Sequence, residues 1–418
     1  MIDKEVQNKH NFYIIALLSF PLFYIFGSLF LNLSIICIGS IFFFDYSKIL
    51  NKKILIIIFS LILSFFLINS ILSYDKIFSI YKSTAYLRYF FFTIGLVLIL
   101  SVIKNNLLKL VSRLFLFLTI FFIIDIIFEY INGKDFFGNN DGARYNRLSG
   151  PFGDEWIAGF FLLYFGFISF GFISKFHNIS KFFYFLFSIV AIYTIYLTGE
   201  RNAFFSSLIF LSILILIDSK YRTTFLSSLL VILFLFILSN KYNVVKNKYS
   251  LKSINTLNSS NIVNVEEGKE NKNDLTTKIV ELTSKNQWIQ HYISAYHIFR
   301  ENLFFGSGFR SFKSVCPKNE QSRKYLCSSH PHNIYFELLS DVGIFGFLIF
   351  SSIFIFPIII FFQKRNDLDI GSKIFFGLFI TFIFPFKPHG SLFTTSYASM
   401  LWFLYALNIY FISNEKKK

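Results

Sequence analysis

Two short polar runs in this 418-residue chain carry side chains suited to charge and proton chemistry. In Leu197-Thr198-Gly199-Glu200-Arg201-Asn202-Ala203 an arginine stands between two apolar runs, and in Ser329-His330-Pro331-His332-Asn333-Ile334-Tyr335-Phe336-Glu337 a pair of histidines precedes another. A guanidinium grips oxyanions through parallel N–H bonds and keeps its proton at any physiological pH. Imidazole is the side chain whose ordinary basicity lies nearest neutrality. Ordinary readings stand beside these. Arg201 is also placed to snorkel at a membrane boundary, Glu200 either orients that guanidinium or is a first-turn acid favoured by the helix dipole, and His332 is also a neighbour of a helix cap, with Asn333 as the N-cap. Between the two runs, Gly306-Ser307-Gly308 offers a flexible turn ahead of Arg310.

The elements that must hold these residues are apolar. Hydrophobic residues make up 54% of the chain and charged residues 15%, with 62 Phe, which leaves too little polar surface for a water-soluble globule. The fold class read from this is an all-α polytopic integral membrane protein. At roughly 20 residues per crossing, apolar runs near 12–26, 29–44, 54–72, 84–103, 107–131, 154–174, 181–198, 202–217, 223–239, 334–361, 372–386 and 392–412 predict twelve transmembrane helices. The chain divides into 1–239 with helices one to nine, a large loop over 240–333, and 334–418 with helices ten to twelve and a tail. Gly27 and Ser28 are the only break between the first two runs, so a single bent helix is the alternative there, and it would invert everything downstream. No small-residue cleavage site follows the first run, which is expected to be an uncleaved anchor.

Basic residues give the orientation. With both termini inside, 18 of the 40 Lys and Arg lie in cytoplasmic segments, 8 in short outer segments and 14 in the long outer loop, where the rule has little force. The net charge of +16 is explained by this distribution and by anionic headgroups, and nucleic acid is set aside. On this topology the polar runs, with the turn Lys387-Pro388-His389-Gly390, all face outward, away from ATP and nucleotide sugars. Within the loop, 240–277 is rich in Asn, Ser and Lys and is expected to be mobile. From about Leu282, Trp288, Tyr292, Tyr296 and Phe299 recur opposite Gln287, Gln290, Ser294 and Glu301, which predicts an amphipathic helix either lying on the bilayer or packed on the bundle. Cys316 and Cys327 allow one disulfide in a compartment that permits it, or two free thiols.

Four stretches in order carry a resemblance: Arg147-Leu148-Ser149-Gly150-Pro151-Phe152-Gly153-Asp154-Glu155, the Arg201 turn, the run from Gly306 and Gly308 through His332 and Asn333 to Gly343 and Gly346, and Pro385-Phe386-Lys387-Pro388-His389-Gly390-Ser391. Together they resemble the O-antigen ligase and polymerase superfamily of bacterial inner-membrane proteins, over roughly residues 144–412. The resemblance implies inverting-type transfer of a glycan from a polyprenyl diphosphate carrier to a sugar hydroxyl at the periplasmic face, as ligase or as repeat-unit polymerase, with no cofactor; the outer side carries no carboxylate cluster of metal-binding spacing apart from Asp154 with Glu155, so no metal requirement is expected. Its partners would be that donor, a lipid-linked or glycan acceptor, and membrane lipids. By residue, it makes Arg201 the diphosphate clamp and His332 the general base or a hydrogen-bond donor to the diphosphate, with Glu200, Asn333, Gly306, Gly308 and His389 in support. Where family members place a second loop arginine, this chain has Lys285, Trp288 and His291; Arg310, or failing it Arg300, is the expected substitute, against a plain surface-charge reading. A transporter is the alternative from another class; Asp125 and Glu129, the acids inside apolar runs, lie toward the outer end of their helix, which disfavours it. A scaffold acting through its loop is the remaining one.

Overall fold

The structure is a computed structural model that describes residues 2–48, 52–139, 147–153, 155–241 and 286–414, and among these it is helical without strands. Of the segment expected to be mobile, residues 242–277 lie outside the described residues, as do Asp154 and Lys285, while Asn240 and Lys241 are helical. Five helices are long and apolar enough to cross a membrane, and five shorter apolar helices accompany them.

The first apolar stretch is a hairpin. α1 (Ile2–Ile25) ends before Gly27, whose φ of 88° breaks the helix, and α2 (Ser28–Phe44) returns alongside it. Lys9 near the start of α1 pairs with Asp45 after the end of α2 at 2.6 Å, and Ser19 meets Ser34 at 2.8 Å, which excludes one bent helix. α3 (Lys52–Leu72) leads to α4 (Lys76–Tyr86), which starts eight residues ahead of the predicted crossing because Asp75 caps it, accepting from Phe78 N–H at 3.1 Å. α5 (Arg88–Val102) continues almost without interruption. Lys76 and Lys82, expected in a short outer segment ahead of the crossing, are therefore on a helix.

α6 (Asn105–Asn132) ends on the left-handed Gly133. α7 (Ala158–Phe176) contains a π-helical turn at Leu162–Gly166, a local irregularity common near functional sites. α8 (Lys181–Leu197), α9 (Arg201–Ile217) and α10 (Arg222–Lys241) follow. After the loop come α11 (Gln287–Glu301), α12 (Ile334–Lys364), α13 (Ile370–Ile383) and α14 (Thr395–Ser413). α7, α13 and α14 are buried on most sides and form the centre, whereas α3 and α10 leave a broad apolar face outward. Small residues set the closest approach: a Cβ on Gly95 of α5 would stand 2.0 Å from the Ile38 carbonyl oxygen of α2.

α11 packs on the bundle. Its buried face is His291, Ser294, Ala295 and Ile298, which differs from the aromatic stripe the spacing suggested. Ser294, assigned to the polar face, is buried because its hydroxyl is satisfied by the Gln290 and Leu326 carbonyls at 3.0 and 2.9 Å, while Tyr296 is exposed. Tyr292 stacks on Phe336 of α12.

Candidate functional site

The glycine turn is fastened to a break in α12. Gly343 has φ 67° inside the helix, and opposite it Gly306 has φ 68°. A Cβ on either would lie about 2.5 Å from the other segment's backbone, at Asp341 and Val342 for Gly306 and at Gly306 and Phe304 for Gly343. With no side chains between them, the loop pairs with the freed helix backbone: Ile344 N–H donates to Leu303, Ser307 N–H to Ser340 and Gly308 N–H to Asp341, at 2.9–3.0 Å. Asn69 of α3 donates to the Phe305 and Asp341 carbonyls, and Phe309 N–H to the Ser79 hydroxyl at 2.8 Å. Phe309 is then driven into a nest of Phe66, Tyr86 and Phe393.

This leaves Arg310 half-buried at the surface with φ 57°. The charges of Arg310 and Arg88 both act on Lys82, so three cations gather here. Arg88 lies over the Tyr89 ring at 4.6 Å and donates to the Ala85 carbonyl and the Tyr89 hydroxyl at 2.7 and 3.0 Å. Among the described residues no carboxylate lies within ion-pair range of Lys82, Arg88 or Arg310. Arg300 does not join them; it is exposed in the last turn of α11 near Tyr296. Sequence reasoning counted Lys82 and Arg88 only as outer charges; Lys82 lies on α4 and Arg88 opens α5.

The histidines assemble around His332, which also holds a left-handed backbone, φ 58°. Its ring lies 4.1 Å from that of His330, 5.0 Å from His291 and 5.0 Å edge-on from Trp288, centroid to centroid. Burial, with the neighbouring histidines adding to it, pushes His332 down to about 3 and His330 down to about 4. Burial also lowers His291, against its bond to the Leu326 carbonyl. These rings are neutral at neutral pH. His297 stacks on Tyr325 away from the group. Asn333 caps α12, accepting from Tyr335 N–H at 3.0 Å, and donates to the Pro385 carbonyl at 3.0 Å.

The last turn closes the arrangement. His389 N–H donates to the His332 carbonyl at 2.7 Å and its own carbonyl lies 3.3 Å from His330 Nε2. Glu337 accepts from the Ser391 hydroxyl and from Leu392 N–H. Asn202, next to Arg201, donates to the Pro388 carbonyl at 3.0 Å. Arg201 itself is the half-buried first residue of α9 with no carboxylate in range among the described residues. Glu200 reaches the other way: its carboxylate accepts from Gly159 and Phe160 N–H at 2.6 and 3.2 Å, capping α7. Leu148 N–H donates to the Thr198 carbonyl, and Glu129 accepts from Ser149 and Gly150 N–H, which ties the 147–153 stretch to the Arg201 turn. Hydrogen bonds therefore link Arg201's turn through the 385–391 turn to His330, His332 and Asn333, and the field of Arg310 reaches His330.

Cys316 and Cys327 are bridged, with Cα atoms 5.7 Å apart. The bridge joins the segment that follows Arg310 to the segment that leads into His330. Below the cations, Phe66, Tyr86, Tyr89, Phe90, Ile353 and Trp402 are among the residues lining an apolar cavity of about 210 Å³ between α3, α5, α12 and α14. Arg88 stands in sequence between its linings Leu87 and Tyr89.

Fold and site together define a helical membrane protein whose loop is packed onto helix ends to gather cations and neutral histidines beside an apolar groove. Residues 186–351 match the family model described as O-Antigen ligase. That span holds Arg201, Arg310, His332 and Asn333. No curated protein matches the chain.

Proposed function

We propose that the protein transfers a glycan from a polyprenyl-diphosphate carrier to a sugar hydroxyl at the periplasmic face of the bacterial inner membrane, in the manner of an O-antigen ligase. The carrying observation is the three cations with no carboxylate within ion-pair range among the described residues, set beside an apolar groove. A diphosphate leaving group gains negative charge as its bond to the sugar breaks, and fixed cations in a water-poor site stabilise that charge at little reorganisation cost. The groove supplies the place for the first isoprene units of the tail. Neutral His332 is a hydrogen-bonding group for the diphosphate or the acceptor hydroxyl and, with its basicity this low, a weak proton acceptor. Arg201, one turn away, serves the diphosphate or the glycan next to it. Twelve crossings with both termini in the cytoplasm carry this site outward.

The test is transfer by protein reconstituted in liposomes, with a polyprenyl-diphosphate oligosaccharide as donor. Arg310→Ala and Arg88→Ala should each lower transfer by about 10²-fold or more at equal protein abundance. Native rates in both variants would refute the assignment.

A further inference from the structure

Lys387 stands on the outer turn between α13 and α14, where a lysine ordinarily extends its ammonium to water. It does the opposite. The residue is 8% exposed, and its Nζ points inward to the Tyr164 hydroxyl at 3.2 Å, with the rings of Tyr164 and Phe382 5.8 and 5.9 Å away. No carboxylate among the described residues pairs with it, and the titratable groups that face it are Tyr164 from α7 and His389 from its own turn. Burying an unpaired ammonium is unfavourable, and one neutral hydroxyl and two aromatic faces only partly offset it. Tyr164 lies in the π-helical turn of α7, and the turn bearing Lys387 is held on one side by Asn202 beside Arg201 and on the other by His332.

We propose that Lys387, seated against Tyr164, is the proton acceptor of the transfer reaction, a reading that rests on the proposed glycan transfer. The acceptor oxygen forms a bond to the anomeric carbon, the bond from that carbon to the carrier phosphate breaks with its electron pair leaving on the diphosphate, and the hydroxyl proton passes to Lys387 Nζ. Burial holds the ammonium down to about 7, so a large fraction of the amine is free to accept a proton at neutral pH, whereas the His332 ring is far too weak a base for this.

The test combines two measurements on the full-length protein in detergent or liposomes. The first is the Lys387 titration, read by NMR of ¹³C-labelled lysine and assigned with Lys387→Met, which should keep native thermal stability because it removes a buried charge. The second is the pH profile of transfer. The expected result is a midpoint near neutrality, an acid limb of kcat/KM at the same pH, and a loss of about 10² to 10⁴-fold in transfer for both Lys387→Gln and Lys387→Arg, with binding of a polyprenyl diphosphate retained. A midpoint in the ordinary lysine range, or native transfer by Lys387→Arg, which stays protonated, would overturn the proposal. Absence of transfer by the native protein with polyprenyl-diphosphate donors would instead overturn the reading on which it rests.

Discussion

His332 and Arg310 are the two described residues other than glycine that hold a left-handed backbone, and both stand where the loop presents a polar side chain to the site. That conformation costs a residue with a Cβ roughly 1–2 kcal/mol, and strained residues of this kind collect at functional sites. The strain separates function from structure. His332→Gly and Arg310→Gly should leave the melting temperature unchanged or raise it, since glycine accepts the angle, while transfer falls by at least about 10²-fold; thermal unfolding and transfer measured on the same preparation check this. The histidines give a second prediction. Their folded values lie near 3 and 4, below the roughly 6.5 of an unfolded histidine, so the unfolded chain binds more protons as pH falls below 6.5. The sign is therefore destabilising: loop stability is full above pH 6.5 and declines as pH falls toward 4. Comparing thermal unfolding at pH 7.5 and pH 5 should show a smaller loss in His332→Asn than in the native protein.

At the scale of elements, the site depends on two backbones touching where α12 breaks. Gly343→Ala and Gly306→Ala each place a Cβ about 2.5 Å from backbone atoms, which cannot swing aside, and each also forces a positive φ on alanine. Either should destabilise the loop by more than about 2 kcal/mol and abolish transfer, whereas Gly27→Ala, which meets nothing within 4 Å, carries backbone strain alone. Limited proteolysis of the loop reads the difference. The Cys316–Cys327 bridge closes a short loop, and Cys316→Ser with Cys327→Ser should cost the loop about 2–4 kcal/mol, with transfer falling together with loop protection. Much of this was legible in the sequence. Gly306, Gly308 and His332 were picked out by the resemblance to a family, whereas Asn333 as a helix cap and the interruption at Gly27 and Ser28 could be read from residue type, because each has a strong local preference. Arg88 and Lys82 could not, since nothing local in a helical run reveals which loop returns to it. The face of α11 was misjudged for a related reason: Ser294 and His291 are polar by type, yet the Leu326 carbonyl satisfies both, and only tertiary structure supplies that partner.

The whole molecule has two electrically different ends. At one, Lys9 pairs with Asp45, Lys175 with Asp369 and Lys373 with Asp218, at 2.6–2.9 Å. At the other, where Tyr24 at the end of α1 meets Ser396 at the start of α14, the cations Lys82, Arg88, Arg201 and Arg310 have no carboxylate within ion-pair range among the described residues. The same end carries the glycine turn, the histidines and the mouth of the apolar groove. On the proposed topology the paired end faces the cytoplasm. A membrane-impermeant thiol reagent applied outside spheroplasts should therefore modify Ser329→Cys and leave Lys220→Cys untouched; the reverse pattern would invert the topology.

The most direct test of the account is photo-crosslinking with a polyprenyl diphosphate that carries a diazirine in its first isoprene units, followed by mapping of the adducts. The account predicts adducts on groove residues of α5, α12 and α14 such as Thr93, Ile353 and Trp402, with labelling strongly reduced in Arg88→Ala combined with Arg310→Ala. Adducts confined to other helices, or labelling of the groove that is indifferent to both arginines, would contradict it.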